Sequence, residues 1–263
     1  MSESTIEVEQ TGTVARVWMN RPSVHNALNE TMIDELAETF LDLGEDTAVR
    51  VIVLSGRGKS FSAGGDIDYM KRQGAAPRET NLATARGLAE MFRILAICPK
   101  PTIARVNGVV MGGGLGLIAA CDIAVASSAA VFAASEVRLG LIPSTIAPYV
   151  LRAIGPRQAR RLFQTGERID AAQAQRIGLV HETAEPGQLD ARVQSIIDDL
   201  LAGGPAAQSA AKSVVEAVTN RPITRELIEE TAVRIADIRS DPEAVEGLSA
   251  FLEKRPPDWV PEK

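Results

Sequence analysis

Residues 101–122, PTIARVNGVVMGGGLGLIAACD, form the segment around which we expect the rest of the chain to be organised. It opens with the β-branched run Thr102–Val106, between a proline and the turn dipeptide Asn107-Gly108, and this pattern predicts a buried strand. Three glycines, Gly112–Gly114, then precede an apolar helical start. Adjacent glycines lose much backbone entropy on folding, so we expect a contact that only glycine permits to offset this cost. Either its N–H groups approach a ligand at a helix N-terminus, or it packs tightly against a neighbouring element.

A dinucleotide-binding turn is the rival interpretation of the same glycines. Residues 114–119 fit the pattern G-x-G-x-x-A, and Glu136 follows at about the distance of the acid that binds the ribose. That fold needs a crossover helix of roughly ten residues or more before the next strand. Here only the short segment up to Asp122 separates the last glycine from the next apolar run. We therefore exclude a dinucleotide site.

The composition is that of a large acidic chain, with 263 residues, a net charge of -6 and a pI near 5.2. This balance argues against a nucleic-acid partner or an anionic membrane surface, and no apolar run is long enough to cross a bilayer. Cys98 and Cys121 lack a metal or redox spacing, so we expect buried thiols and no metal. No signal-peptide pattern is visible, and we expect a cytoplasmic protein.

Strand and helix patterns alternate through the first two thirds of the chain. Two paired strands are predicted near residues 6–9 and 14–19, and a strand suited to a covered parallel sheet over 49–54. A second small-residue turn, Ala63-Gly64-Gly65-Asp66, follows another apolar segment, with Asp66 as a helix N-cap. The remaining predictions are helices near 29–44, 81–96, 156–164 and 171–176, a loop over 69–77, and short strands at 123–127, 131–134 and 178–180.

The end of the chain has a different pattern, with predicted helices and no predicted strands. They cover residues 189–201, 206–218, 224–238 and 242–253. The dipeptide Gly203-Gly204 before Pro205 predicts a boundary. We therefore expect an α/β core over residues 1–203 and a helical region over 204–263.

The two small-residue turns suggest a chemical site. Each follows a strand and opens a helix, so each could offer a backbone N–H at one edge of the sheet, from Ala63-Gly64 and from Gly113-Gly114. Two donors that converge on one oxygen form an oxyanion hole, which suits a reaction that builds an enolate from a thioester. Glu136 is the candidate base, since burial after a small-residue strand would raise its pKa. The alternative is a surface glutamate paired with Arg138.

Motifs from about Thr13 to Trp259 resemble the enoyl-CoA hydratase/isomerase (crotonase) superfamily. They are NRPSVHNALN, GKSFSAGGDI, PKPTIARVNGVVMGGGLGLIAACDI, SEVRLGLIP, AIGPRQARRLFQTGERIDAAQAQRIGLV and EGLSAFLEKRPPDW. The resemblance implies a crotonase-like spiral of β-β-α units followed by a C-terminal helical oligomerisation region. It also implies an acyl-CoA thioester as substrate, with coenzyme A present as part of that substrate and no permanently bound cofactor. The implied assembly is a homotrimer, or a hexamer built from two trimers.

The resemblance further implies roles for individual residues. It makes Ala63 and Gly113 the oxyanion-hole amides and Glu136 the catalytic carboxylate. Phe251 and Lys254 match positions that reach the adenosine phosphate part of CoA, commonly from a neighbouring subunit. The other implied substrate contacts are Ser23, Val24, His25, Gly64, Gly65, Asp66, Ile67 and Gly116.

One position departs from the family pattern. Hydratases of the family usually carry two glutamates, and the first of them corresponds to Gly116 here. The segments GGGLGLIAACDIAVA and SEVRLGLIPSTIAPYVLRAIG are similar to the methylglutaconyl-CoA hydratases, and we predict a hydratase for a branched glutaconyl-CoA. In that interpretation Gly116 leaves space for an extra water or a bulkier acyl group. The alternatives are an enoyl-CoA isomerase that uses one glutamate and a non-catalytic acyl-CoA-binding protein.

Overall fold

The computed structural model describes residues 4–260. Within that range the strands are β1 (Ile6–Thr11), β2 (Val14–Met19), β3 (Val51–Gly56), β4 (Ser60–Ser62), β5 (Thr102–Val106), β6 (Val109–Met111), β7 (Ile123–Ser127), β8 (Val131–Ala133), β9 (Ile169–Asp170) and β10 (Glu182–Ala184). The α-helices are α1 (Glu30–Glu45), α2 (Ile67–Ala75), α3 (Arg78–Ile97), α4 (Gly113–Ala120), α5 (Ala147–Thr165), α6 (Ala171–Arg176), α7 (Leu189–Ala202), α8 (Pro205–Val218), α9 (Arg225–Arg239) and α10 (Pro242–Glu253).

The strands form two sheets. The larger has the order β1-β2-β3-β5-β7-β10, and its neighbours are parallel except for the β1-β2 hairpin. The smaller has the order β4-β6-β8-β9 and is parallel except for its last pair. From β3 onward the chain adds one strand to the large sheet and the next to the small one, three times in succession. This alternation, with helices between the turns, confirms the predicted spiral of β-β-α units.

Apolar burial explains why these strands lie in covered sheets. Every residue of β3 is buried, as expected for a strand that is covered on both faces. The largest fully buried side chains include Phe61 on β4, Phe92 on α3 and Phe132 on β8, and they belong to one continuous core. Cys98 and Cys121 are both buried, as predicted. Within residues 4–260, no helix combines the length and apolar character needed to cross a membrane.

The chain divides into two compact units. The first comprises the part up to Cys98 together with Thr102–Gln194, and it holds both sheets. The second comprises Pro99–Pro101 and the chain from Ser195 onward, including α8, α9 and α10. The division therefore falls inside α7, earlier than the boundary predicted at Gly203. A helix that runs through the division leaves no glycine or proline signal at that point in the sequence.

Two local predictions are wrong. Residues 69–77, predicted as a loop, lie largely within α2, because the Asp66 side chain caps this helix by accepting from Asp68 N–H (3.0 Å) and Tyr69 N–H (3.1 Å). The predicted N-cap role of Asp66 is thereby confirmed. The short strand predicted at residues 178–180 is instead a turn that contains Gly178 with φ +85°, and the strand follows at β10.

Candidate active site

The glycine triplet forms the turn between β6 and α4, and each glycine lies against a different neighbouring group. Gly112 has φ +46°, and a Cβ there would lie 3.0 Å from Oε1 of Glu136. At Gly113 a Cβ would lie 2.8 Å from Cδ1 of Leu28. At Gly114 it would lie 2.9 Å from the backbone oxygen of Ser62. Since Cβ contacts shorter than 3.0 Å essentially never occur, a larger residue would require the Leu28 side chain to shift at position 113 and the backbone to shift at position 114.

The second small-residue turn, between β4 and α2, lies against the first. Gly64 has φ +84°, and a Cβ on it would lie 2.8 Å from the backbone oxygen of Met111 and 3.3 Å from Cα of Gly112. The two turns predicted to share one edge therefore touch. This confirms that β4 and β6 bring two strand-to-helix turns together in the first unit.

The prediction that Ala63 N–H is one of the oxyanion-hole donors is wrong. This N–H donates to the backbone oxygen of His25 at 2.9 Å, so it is already satisfied within the fold. The N–H of Gly65, two residues later, is oriented differently, because Leu28 pairs with Gly65 in a parallel bridge. In that bridge Leu28 bonds the C=O of Gly64 and the N–H of Asp66, and both groups of Gly65 therefore face the other way. Sequence spacing identified the turn, but which of its amides is exposed depends on this long-range pairing.

Two N–H groups are available at the touching turns. Gly113 is the first residue of α4, so its N–H has no acceptor within the helix, and neither it nor Gly65 N–H has an acceptor among residues 4–260. Gly112 N–H, in contrast, donates to the backbone oxygen of Ala133 at 2.9 Å. Gly65 N–H and Gly113 N–H are thus the two candidate donors to a carbonyl oxygen, and the Gly113 amide lies at the N-terminal end of a helix, where negative charge is favoured.

Glu136 follows β8 at the start of a short 3-10 helix, Glu136–Leu139. Its Oε1 lies beside Gly112, and its Oε2 is buried without a hydrogen-bond partner in the described part of the chain. Burial raises the pKa of this carboxyl, against a smaller lowering by its own backbone N–H. The alternative of a surface glutamate paired with Arg138 is therefore wrong. Arg138 instead packs on the Gly166 turn, where a Cβ would lie 3.1 Å from Arg138 Nε.

The space expected at Gly116 is filled. A Cβ there would lie 2.4 Å from Cγ2 of Ile146 and 2.7 Å from Cε1 of Phe92. The Phe92 ring in turn contacts the Tyr149 ring at a centroid distance of 5.8 Å. The absent glutamate is thus replaced by apolar side chains of α3 and of the segment before α5, and not by room for an extra water or a larger acyl group beside this glycine. Composition around Gly116 gave no sign of these distant partners.

The predicted contacts in the first unit lie around the β4–α2 turn. Ser23 and Val24 are exposed in the 3-10 helix Pro22–Val24, and His25 follows with φ +55°. Ile67 is 65% exposed at the start of α2. These side chains remain open to solvent next to the candidate site.

Polar contacts hold this edge of the site in place. The His25 ring nitrogen Nδ1 lies 2.9 Å from Oγ of Ser60. Arg21 pairs with Asp66 at 3.0 Å. Burial alone would raise the pKa of Asp66, but hydrogen bonds from Tyr69 N–H and from the Arg21 guanidinium outweigh it and lower that pKa. Asp66 therefore stays ionised as a cap.

Phe251 and Lys254 belong to the second unit. Phe251 is 79% exposed near the end of α10, and Lys254 is the exposed C-cap of that helix with φ +58°. Their contact with CoA stays a prediction.

The chain matches known proteins in both sequence and fold. The sequence model of the enoyl-CoA hydratase/isomerase family matches residues 9–262. The chain is 34% identical to a crotonyl-CoA hydratase of Syntrophomonas wolfei over 263 residues, which cover 99% of each chain. It is 33% identical to a putative enoyl-CoA hydratase of Thermus thermophilus over 252 residues, 96% of this chain and 99% of the relative. The crystal structure of an enoyl-CoA hydratase from Shewanella pealeana superposes with a TM-score of 0.94 at 40% identity, over 97% of this chain and 96% of the other. The chain therefore belongs to the enoyl-CoA hydratase/isomerase family.

Proposed function

We propose that this protein is an enoyl-CoA hydratase that adds water across the 2,3 double bond of an acyl-CoA thioester. The observation that carries the proposal is the buried carboxylate oxygen of Glu136, which has no hydrogen-bond partner among residues 4–260, beside two touching turns. Each of these turns has one N–H group without an acceptor in the same part of the chain. Relatives named crotonyl-CoA hydratase and short-chain-enoyl-CoA hydratase support the same chemistry.

The mechanism follows from these groups. The thioester carbonyl accepts from Gly65 N–H and Gly113 N–H, which stabilise the enolate oxygen as charge develops there. Glu136 removes a proton from water as the oxygen attacks the β carbon, and it then returns a proton to the α carbon. A raised pKa suits this exchange, since one carboxyl must act first as base and then as acid.

The substrate we favour is a branched glutaconyl-CoA such as 3-methylglutaconyl-CoA. The support is the sequence similarity of residues 112–126 and 135–155 to the methylglutaconyl-CoA hydratases. Because the space beside Gly116 is closed by Phe92 and Ile146, a substrate carboxylate has to lie elsewhere in the site. Arg138, which packs on the Gly166 turn, is a poor candidate for binding it.

We also propose that copies of the chain associate through the second unit, as a trimer or as a hexamer of two trimers. Many large apolar side chains of this unit are exposed, which suits contact with another copy. In this assembly Phe251 and Lys254 of one copy contact the CoA that is bound by another.

A double-bond isomerase is the second candidate, and one observation favours it. An isomerase needs one base in a dry site, and the position of the family's other glutamate is enclosed by Ile146 and Phe92. A hydratase must hold a water molecule, normally with two polar groups. In the favoured interpretation, a backbone carbonyl or the substrate's own carboxylate supplies the second contact.

The deciding experiment follows the oxygen of water. The protein is incubated with 3-methylglutaconyl-CoA, crotonyl-CoA and a 3-enoyl-CoA in ¹⁸O-water, and the products are analysed by mass spectrometry. We expect label in the β-hydroxyl of the glutaconyl product. Migration of the double bond in the 3-enoyl ester without any label uptake would establish the isomerase instead. Binding of all three esters without turnover would leave the non-catalytic acyl-CoA-binding protein as the function.

A further inference from the structure

The turn between β4 and α2, which carries Gly65 N–H, is held by hydrogen bonds to residues 25–28. Three backbone hydrogen bonds join the two: Ala63 N–H to His25 O (2.9 Å), Leu28 N–H to Gly64 O (2.7 Å) and Asp66 N–H to Leu28 O (2.8 Å). The position of the turn therefore depends on contacts with a distant part of the sequence. One side chain takes part in the same contacts.

That side chain is Ser62, the last residue of β4, which is fully buried. Its hydroxyl donates to the backbone oxygen of Asn26 at 2.9 Å and accepts from Gly64 N–H at 3.2 Å. Its backbone oxygen and its Cβ would lie 2.9 Å and 3.2 Å from a Cβ at Gly114. Ser62 thus contacts both of the turns that carry the donor amides.

The partner of this hydroxyl is itself fixed. Asn26 is fully buried, and its Nδ2 donates to the backbone oxygens of Arg57 (2.9 Å) and Ser60 (2.8 Å). Its Oδ1 accepts from Arg21 N–H at 2.9 Å. Because these three side-chain hydrogen bonds fix Asn26, its backbone oxygen is a rigid acceptor for the Ser62 hydroxyl.

The geometry of the Gly64 backbone then determines where the catalytic amide points. The Ser62 hydroxyl fixes Gly64 N–H, and Leu28 fixes Gly64 C=O. In a trans peptide the C=O and the following N–H point in opposite directions, so fixing Gly64 C=O orients Gly65 N–H. Glycine at φ +84° has much conformational freedom, and without both restraints this peptide could rotate.

We propose that Ser62 is a positioning residue of the oxyanion hole: its hydroxyl, anchored on Asn26, holds the Gly64 backbone so that Gly65 N–H faces the thioester oxygen. This inference rests on the proposed function, because it assigns the donors that polarise the thioester. Its physical basis is that an oxyanion hole works only when its donors are fixed before the charge develops. Ser62 itself does not touch the substrate.

The test is Ser62→Ala, with Ser55→Ala as the matched control. Ser55 is also a buried serine whose hydroxyl donates to a backbone oxygen, that of Arg105 at 2.8 Å, but it lies on β3. We expect Ser62→Ala to lower kcat by roughly tenfold or more with little change in KM, because a misplaced donor weakens transition-state binding most. Ser55→Ala should keep the wild-type kcat even if both variants melt at a lower temperature.

A spectroscopic measurement makes the test independent of turnover. Butanoyl-CoA labelled with ¹³C at the thioester carbonyl is bound to each protein, and the carbonyl stretch is measured by infrared spectroscopy. The wild type and Ser55→Ala should shift the stretch to lower frequency, and Ser62→Ala should lose part of that shift. Because the ester is saturated, this shift is seen whether the enzyme is a hydratase or an isomerase, and failure of the proposed function is distinguishable from failure of this inference.

An unchanged carbonyl shift together with an unchanged kcat in Ser62→Ala would overturn the proposal. If Ser62→Ala does not fold, Ser62→Cys takes its place, because a thiol is a weaker donor and acceptor of similar size. For Ser62→Cys we expect a smaller loss in both measurements. Wild-type values for that variant would equally refute the positioning role.

Discussion

Glu136 is the residue on which the chemistry depends, and its surroundings set it apart from the other acids of the site. Asp66 lies at the same edge, but it caps α2 and pairs with Arg21, and its pKa is lowered. Glu136 has a buried oxygen without a partner within residues 4–260, and burial raises its pKa. A buried carboxylate without compensation destabilises the fold, and such groups are common where a base must be reactive.

Glu136→Gln should therefore lower turnover and raise stability at once. The amide keeps the shape but cannot accept the proton of water, so we expect kcat to fall by about 10²- to 10⁴-fold with acyl-CoA binding nearly unchanged. The melting temperature at neutral pH should rise, because the folded state no longer buries a charge. Initial rates, calorimetric titration with a saturated acyl-CoA and differential scanning calorimetry measure the three effects.

The stability gained by Glu136→Gln should depend on pH in a defined direction. A carboxyl whose pKa is raised in the folded state binds more protons there than in the unfolded chain, so stability falls as pH rises from the ordinary glutamate value to the raised one. The gain from Glu136→Gln should be complete above the raised pKa and should vanish below the ordinary value. Glu38→Gln, at an exposed position of α1, is the control for the substitution itself. A gain for Glu136→Gln that persists below the ordinary value, or the absence of a gain at neutral pH, would contradict the burial argument.

At the scale of elements, the two turns and α4 could be predicted from the sequence, but the contacts that select the donors could not. The spacing of small residues after apolar strands identified Ala63-Gly64 and Gly113-Gly114 as strand-to-helix turns. Ala63 was the wrong amide because its acceptor, His25, lies far away in the sequence. The environment of Gly116 was missed for the same reason, since Ile146 and Phe92 come from other elements. Local pattern determines where a turn forms, and long-range packing determines which atoms it exposes.

Gly116 provides a test of this packing within α4. An added methyl group would meet Ile146 and Phe92, so we expect Gly116→Ala to lower the free energy of unfolding by about 1–3 kcal/mol, in spite of the better helix propensity of alanine. Gly87→Ala in α3 is the matched control. No atom in the described part of the chain lies within 4 Å of a Cβ at Gly87, and that variant should gain up to about 1 kcal/mol. Urea denaturation of both variants is the measurement, and equal effects in the two would rule out the closed space at Gly116.

At the scale of the whole molecule, the spiral was predictable because motifs from Thr13 to Trp259 resemble one family, and the sheet order confirms it. The extent of the second unit was not predictable, since it begins inside α7 and includes Pro99–Pro101. Its helices expose large apolar side chains, and α10 presents Val245, Leu248 and Leu252 at helical spacing. These surfaces motivate the proposed assembly.

The last prediction concerns that assembly. Val245→Glu with Leu252→Glu places charge on an exposed apolar face, at residues 53% and 78% exposed, and we expect it to convert a trimer or hexamer into a monomer. CoA affinity should fall in the same variant, because Phe251 and Lys254 of a neighbouring copy would no longer contact the nucleotide. Leu41→Glu on α1, also at an exposed apolar position, is the control and should keep both properties.

Lys254→Ala separates the two effects. Since Lys254 is expected to contact a phosphate of CoA, Lys254→Ala should weaken CoA binding and reduce the salt dependence of that binding, while the oligomer persists. Multi-angle light scattering gives the mass, and calorimetric titration at low and high salt gives the affinity. A wild-type protein that is monomeric at working concentration and binds CoA normally would refute the assembly. If Lys254→Ala stays oligomeric and the salt dependence of CoA binding is unchanged, Lys254 does not contact the nucleotide. The reason is that removing a lysine that neutralises a phosphate must reduce this salt dependence.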